Sequence, residues 1–426
     1  MRQVMRQSRY AAALAAVLSP ITLAADIERP FLRVDETEDR SEIALEIATR
    51  EYVKKDGDGP TVALMGVAHI ADAEFYDALQ DALASYDLVL YESVTPPGTG
   101  GAGGASHDER VKSTEAAMRF VASIGLAIRV EENVTPTSIN AIGKWSRLQD
   151  VRMGDWVDRA AIDAWSNPIE YRHTGNDGGG FALISYGEDG EPGGRGPAAD
   201  IIVKSTDDIE PFAMAGEGDN LQMQLAQAIN LSFQLEALDY SAENWRCSDM
   251  AIDQVERSLA ARGLEFDLLG DTMAGSSLPA QFVKAVLRMI KSFDRFMDGA
   301  LTDTFKVVLI EMLSDESLLD ASMGQLGDGF MDVIINERNQ VVVDDLTELI
   351  ADEPQIKSVA VLYGAGHMQD LEKRLIEQLD YEAGDVTWYR AIAVDLNESA
   401  VTPREMRKIR VMMRRALKQA QEQQTK

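Results

Sequence analysis

Residues 61–69 read TVALMGVAH, and the pattern returns at 358–367 as SVAVLYGAGH. Each is an unbroken apolar run of the kind made by a strand buried on both faces. Each closes on Gly-x-x-His and passes at once into a helix-like segment, ADAEFYDALQDALASY after the first and MQDLEKRLIEQLD after the second. The run YDLVLYESV at 86–94 supplies another buried strand, and strand, helix, strand in succession is the unit that builds parallel sheets. The expected fold is therefore α/β, a central mostly parallel or mixed sheet flanked by helices. Residues 41–53 lead into it as strand or short helix, and VTWYRAIAVDL closes it.

In an open α/β sheet, ligands collect where parallel strands end. His69, Glu92 and His367 all fall on that carboxyl edge, although the two histidines are far apart in sequence. Two neutral imidazoles and one carboxylate form a three-ligand set for a divalent transition metal such as Mn, Co or Zn, with a position left for water. Such a water ionises near neutral pH, which hydrolysis requires. Gly66 and Gly364, lacking a β-carbon, allow a sharp turn and close approach of a second strand or a substrate.

A further signal is FMDVIINERNQVVVDDLTELI at 330–350. Met331, Ile334 or Ile335, Val342, Leu346 and Leu349 mark one helical face, and Arg338 falls within it. A guanidinium on an apolar face needs a carboxylate or a bound anion, so Arg338 is expected to hold Glu92 or to polarise a substrate carbonyl. Asn339, one position on, is expected to point elsewhere and to assist only from a different face.

Between the first strands and the helical part lies different material. TPPGTGGAGGAS at 95–106 reads as a glycine-rich linker. Residues 163–200, DAWSNPIEYRHTGNDGGGFALISYGEDGEPGGRGPAAD, are loop-rich with paired strand-like pieces. Asp189 and Asp200 there, with exposed carbonyls, suit a hard cation. His107 and His173 have no ligand-like spacing and read as surface residues.

The segments DAWSNPIEYR, FALISYGEDGEPGG and AADI resemble the C-terminal part of the type II secretion major pseudopilin, with Ser166 standing where that family has glycine. The resemblance implies an α+β insert over 107–205. It also implies a calcium site made by Asp189, Asp200 and the main-chain oxygens of Leu183 and Ser185. The apolar helix that lets a pilin polymerise is not among these residues, so calcium binding is implied and a filament is not.

Together, Gly66-x-x-His69, Glu92, Arg338 and Gly364-x-x-His367 resemble the TraB/TIKI superfamily over about 41–94 and 215–396. That superfamily includes erythromycin esterase and a haem-binding lipoprotein branch. The resemblance implies a metal-dependent peptidase or histidine-assisted esterase, with His69, Glu92, Arg338 and His367 as the active site and Tyr240, Asn244 and Asp249 as surrounding groups. The first motif, GVAH, has no glutamate in its second place, so the esterase branch's acid/base assignment does not carry over.

Composition agrees with a folded, exported protein. The chain has 426 residues, 45% of them hydrophobic, which is ample for a packed core. Its net charge of −30 repels phosphate backbones and argues against nucleic acid as a partner. One cysteine, Cys247, excludes an internal disulfide and reads as a small buried residue. Residues 1–25 carry a basic start, an apolar stretch and small residues in the pattern of an export signal, placing the protein in the periplasm or outside the cell. Pro403–Lys426 holds eight Lys or Arg against two Glu at helical spacing, a basic tail over 397–426 that rests on its own domain or touches a membrane surface. The resulting plan is a discontinuous domain, 26–94 plus 215–396, interrupted by the linker and insert. Three functions compete: a hydrolase of peptides or esters, a non-catalytic haem or metal binder, and an adaptor that recognises a protein partner through the insert.

Overall fold

The computed structural model describes residues 30–39, 41–100, 106–174, 180–212, 231–264 and 328–398, with positions 303, 306, 307, 309, 310, 313 and 411. The expected export signal and nearly all of the basic tail lie outside the described residues.

A seven-stranded mixed sheet forms the centre. Its strands are β1 (Leu32–Glu36), β2 (Glu42–Lys54), β3 (Thr61–Val67), β5 (Leu88–Tyr91), β10 (Trp245–Cys247), β11 (Ser358–Gly364) and β12 (Tyr381–Asp395). Four strands run parallel in the order β3, β11, β5, β10, with β10 at one edge of the sheet. On the far side β2 runs antiparallel to β3, and β12 lines β2 along nearly its full length. The apolar run at 358–364, nearly 300 residues downstream of its neighbour, thus inserts between β3 and β5 rather than adding at an edge.

Strand alternation carries successive side chains to opposite faces, and here both faces are covered. Ala63, Met65, Val67, Val89, Tyr91, Ala360 and Leu362 pack with Phe75, Tyr76, Leu79 and Leu83 of helix α1 (Ala73–Leu83). Val62, Leu64, Leu88, Leu90, Val359, Val361 and Tyr363 pack on the other face. There they meet Val342, Leu346 and Leu349 of α6 (Arg338–Asp352) and Met368, Leu371 and Leu375 of α7 (Met368–Gln378). Each such aliphatic side chain contributes about 1.5–3 kcal/mol when fully buried, so the three-layer arrangement follows from the unbroken apolar runs. Gly66 is required by close approach: a β-carbon there would lie 2.6 Å from Ile47 Cγ2 of β2.

The segment between β5 and β10 carries its own core. Helix α2 (His107–Glu131) begins at a capping box in which Ser106 and Glu109 satisfy each other's backbone N–H groups. It packs Val121, Ile124 and Ile128 on Phe181, Leu183 and Val203 of an antiparallel sheet, β6 (Glu170–Thr174), β7 (Gly180–Ser185) and β8 (Ile201–Lys204). Helices α3 (Ile139–Gln149) and α4 (Val151–Arg159) complete it. The turn after α4 is held by Asp163, which accepts from the N–H groups of Trp165 and Asn167 and from Ser185 Oγ. Ser166 has φ +69°, the left-handed region that favours glycine. This insert is not a detached bead, because the Arg159 guanidinium donates to the Cys247 carbonyl beside β10.

The expected linker is also more than a tether. Thr95 bridges to Ala251, the Thr99 hydroxyl donates to Thr95 Oγ1 at 2.7 Å, and the Gly98 N–H donates to Asp253 Oδ1 at 2.9 Å. Gly98 has φ +77°, and a β-carbon on it would sit 2.1 Å from the Ser113 carbonyl oxygen of α2. Glycine in this stretch permits packing instead of preventing it; residues 101–105 lie outside the described residues. Gly98→Ala is accordingly expected to destabilise the protein by about 2 kcal/mol or more, from backbone strain plus overpacking. Equilibrium urea denaturation checks this, and an unchanged midpoint would return 95–100 to the status of an unpacked tether.

Candidate functional site

The four parallel strands each deliver one ionisable side chain just past their carboxyl ends: His69 after β3, His367 after β11, Glu92 after β5 and Asp249 after β10. Because the strands lie side by side, residues up to 298 positions apart become neighbours on one edge. Arg338, the first residue of α6, reaches into this row.

This residue is 5% exposed. Nε and Nη2 donate to the two carboxylate oxygens of Asp249 at 2.8 and 2.7 Å, and Nη2 also donates to Glu92 Oε1 at 2.7 Å. Of the two roles expected for Arg338, holding Glu92 is the one these contacts make, with Nε and Nη2 both committed to carboxylates. The other Glu92 oxygen accepts the Gly364 N–H at 2.7 Å, so the second Gly-x-x-His glycine anchors the glutamate of the neighbouring strand. A six-residue π-helical turn, Asp332–Glu337, directly precedes Arg338, the kind of local widening that recurs at functional sites.

His367 is fully buried. Asn339 Nδ2 donates to the His367 carbonyl at 3.1 Å and to Asp370 Oδ2 at 2.9 Å, which leaves Asn339 Oδ1 as the acceptor for His367 Nδ1–H at 2.7 Å. The imidazole therefore carries its proton on Nδ1, and its Nε2 lone pair has no hydrogen-bond partner among the described residues and stands 3.6 Å from Glu92 Oε1. Asn339 was expected to assist only from a different face, and it meets a different strand end from Arg338, supporting His367 while Arg338 holds Glu92 and Asp249. Tyr363 packs edge-on against His367, with ring centroids 5.2 Å apart, and donates its hydroxyl to the Ser248 carbonyl.

His69 is partly exposed and shows the same pattern, with Nδ1 2.9 Å from Gln234 Oε1. Gln234 Nε2 donates to Tyr240 Oη at 3.2 Å. Of the groups expected around the site, Asp249 belongs to it directly and Tyr240 reaches it through Gln234. Asn244 does not: it donates to the Tyr86 carbonyl and accepts the Val89 N–H, so it caps the opposite end of β5.

Charges in the row are strongly coupled. Burial pushes the Glu92 carboxyl up, but Arg338, the two imidazoles and the Gly364 N–H outweigh it and hold the group far below the usual carboxylate range. Burial raises the Asp249 carboxyl against the pull of Arg338. Burial pushes His367 down to about 3, against the attraction of Glu92.

The donor chemistry fits a divalent cation in part. Two imidazoles with Nδ1 bound to side-chain amides turn Nε2 lone pairs outward, the orientation that second-sphere partners give metal-binding histidines. One cation between two carboxylates, Arg338 between Asp249 and Glu92, leaves a net negative charge. Yet among the described residues no three His, Cys, Asp or Glu side chains are spaced as a ready ligand set. The expected trio of His69, Glu92 and His367 thus lies on one edge without being closed around an ion, because Glu92 is drawn towards Arg338 and Gly364.

The expected calcium ligands sit in the insert. Leu183 and Ser185 are buried in β7, Asp189 Oδ1 accepts the Glu191 N–H at 3.1 Å, and Asp200 Oδ1 accepts the Gly193 N–H at 2.9 Å. His173 is exposed, whereas His107 is half-buried against the Trp165 ring at 5.8 Å, a packing role in place of the expected surface one.

Residues 110–204 match the family model of the type II secretion system (T2SS) protein G. This segment therefore has pseudopilin-like character, in agreement with its sequence motifs, and connects the chain with secretion. No curated protein and no solved structure matches the chain. Among the described residues, no helix is long and apolar enough to cross a membrane.

The His367 shift fixes a pH dependence. An unfolded chain takes up this proton near 6.5, while the folded protein resists until about 3. Stability is therefore fully present above about 6.5 and is lost as pH falls through that window; Glu92, depressed on folding, adds loss in the same direction below its unfolded value of 4.5. In chelator-treated protein, unfolding free energy should fall from pH 7 to pH 5, and His367→Gln should flatten that slope. Parallel slopes for the two proteins would contradict the buried neutral imidazole.

Proposed function

We propose that the chain is an exported metal-dependent hydrolase acting on peptide or ester carbonyls at the carboxyl edge of its central sheet. The observation that carries this reading is the His367 Nε2 atom: a buried lone pair without a hydrogen-bond partner among the described residues, 3.6 Å from an ionised Glu92 oxygen. A buried polar atom left unsatisfied is costly, and a cation or the reacting group of a substrate would satisfy it. The two Gly-x-x-His motifs, Glu92 and Arg338 add the resemblance to the TraB/TIKI superfamily, which rests on these motifs alone.

His69, His367 and Glu92 are the residues that would hold the metal, which when bound supplies a water ionised near neutral pH. The chain's own residues prepare that site. Asn339 and Gln234 set the two imidazoles with Nε2 forward, and the Gly364 N–H aims Glu92. Arg338 keeps Glu92 ionised far below neutral pH, which suits it to bind a cation and unsuits it as a proton shuttle. The pseudopilin-like segment supports a second element of the proposal, a calcium site at Asp189 and Asp200 with the main-chain oxygens of Leu183 and Ser185, through which the insert engages a protein partner.

Elemental analysis of the purified full chain tests both metals in one experiment. The expected result is a transition metal lost in His69→Ala and His367→Ala together with turnover of a peptide or ester library, and calcium lost only in the Asp189→Asn/Asp200→Asn double variant. Metal retained by both histidine variants, or a fully loaded protein that cleaves nothing, would retire the hydrolase; calcium content unchanged in the double variant would retire the insert site.

A further inference from the structure

Gln234 is 2% exposed, and a primary amide so deeply buried is tolerated only when its donors and acceptor are satisfied. Two of its polar groups meet His69 and a third meets Tyr240. The Gln234 N–H donates to the His69 carbonyl at 2.9 Å, Oε1 faces His69 Nδ1 at 2.9 Å, and Nε2 donates to Tyr240 Oη at 3.2 Å. Immediately before it, β9 (Ser232–Phe233) pairs antiparallel with β4 (Ile70–Ala71), so the backbone after His69 and the backbone before Gln234 are clamped together.

The Tyr240 ring is itself fixed. It packs edge-on against Tyr91 and Trp245, with centroids 5.1 Å away in both cases. On top of it lies Arg152 from α4 of the pseudopilin-like insert, its guanidinium carbon 5.3 Å from the ring centroid, within cation–π range. Arg152 is in turn held by a fork to Asp150, at 3.0 Å from Nε and 2.5 Å from Nη2. A buried amide whose Nε2 is tied to Tyr240 presents its oxygen, not its nitrogen, to His69. An oxygen there accepts Nδ1–H and leaves the lone pair on Nε2.

We propose that Gln234 is the positioning residue for His69, fixing its Nδ1–H tautomer and ring orientation through the hydrogen bond to Tyr240 beneath the insert's Arg152. The proposal rests on the reading of His69 as a group that acts through Nε2, and it goes further by making the insert part of the structure that orients it. Gln234 touches neither substrate nor metal. Its counterpart on the other imidazole is Asn339, so each half of the site has an amide of its own, drawn from an unrelated stretch of chain.

The chain contains four histidines, few enough for selective ¹⁵N labelling, and long-range ¹H–¹⁵N spectra of the full-length, chelator-treated protein read each tautomer directly. The expected result is His69 and His367 both protonated on Nδ1 in the wild type. Gln234→Leu should convert His69 to a mixture of tautomers while the His367 signals, held by Asn339, stay in place and report an intact fold. Gln234→Glu, which keeps an acceptor for Nδ1–H, should restore the His69 pattern. His69 found protonated on Nε2 in the wild type, or unchanged by Gln234→Leu, would overturn the proposal. The readout is independent of turnover, so a wild-type protein inert towards every peptide and ester would retire the hydrolase and leave this assignment standing.

Discussion

One buried arginine organises the carboxyl edge of the sheet. Arg338 joins β10 to β5 by donating to both Asp249 and Glu92, and it does so from the first turn of a helix whose remaining stripe, Val342, Leu346 and Leu349, packs on the sheet. Removing three charges from water is expensive, and their mutual attraction offsets that expense only when the geometry is good and other hydrogen bonds are satisfied. Here the fork to Asp249 and the Gly364 N–H on Glu92 meet that condition. The ion cluster consequently fixes where Glu92 stands relative to the imidazole of the intervening strand.

From that anchor the rest of the site follows as a set of paired supports. Asn339, adjacent to Arg338, orients His367, and Gln234 orients His69. One negative charge remains after Arg338 neutralises one carboxylate, and two imidazole lone pairs adjoin it. Such a row attracts a cation or an electron-poor centre and repels anions. The insert is involved through α4, which touches the main-chain carbonyl beside β10 with Arg159 and the Tyr240 ring with Arg152. A segment of pseudopilin-like character is thus built against the sheet whose edge carries the site.

Much of this was legible in the sequence for a simple physical reason. Strands covered on both faces need unbroken apolar runs, and β3, β5 and β11 announce themselves that way. Arg338 stood out because a cation in an apolar helical stripe demands a buried partner. The position of β11 between β3 and β5 was not legible, since strand order depends on pairing across hundreds of residues. Asn339 serves the site from a different face, as a 100° step along a helix implies, so that adjacent positions reach different strand ends. Gln234 gave no signal beyond one polar residue in an apolar stretch, its meaning set by a histidine 165 positions away. Gly98 misled because a glycine needed for close approach looks, as a letter, the same as a glycine that frees the chain. Ser166 in the left-handed region shows the converse, a backbone demand that outlasts the residue best suited to it.

The central claim is that the Arg338 ion cluster, and not generic core packing, holds the strand ends in place. It is tested most directly by equilibrium denaturation of Arg338→Met beside the triple variant Glu92→Gln/Asp249→Asn/Arg338→Met. The single variant leaves two buried carboxylates without their cation and should cost about 3–5 kcal/mol, most of which the triple variant should recover. An Arg338→Met protein within about 0.5 kcal/mol of the wild type, the range of an ordinary surface substitution, would contradict the account.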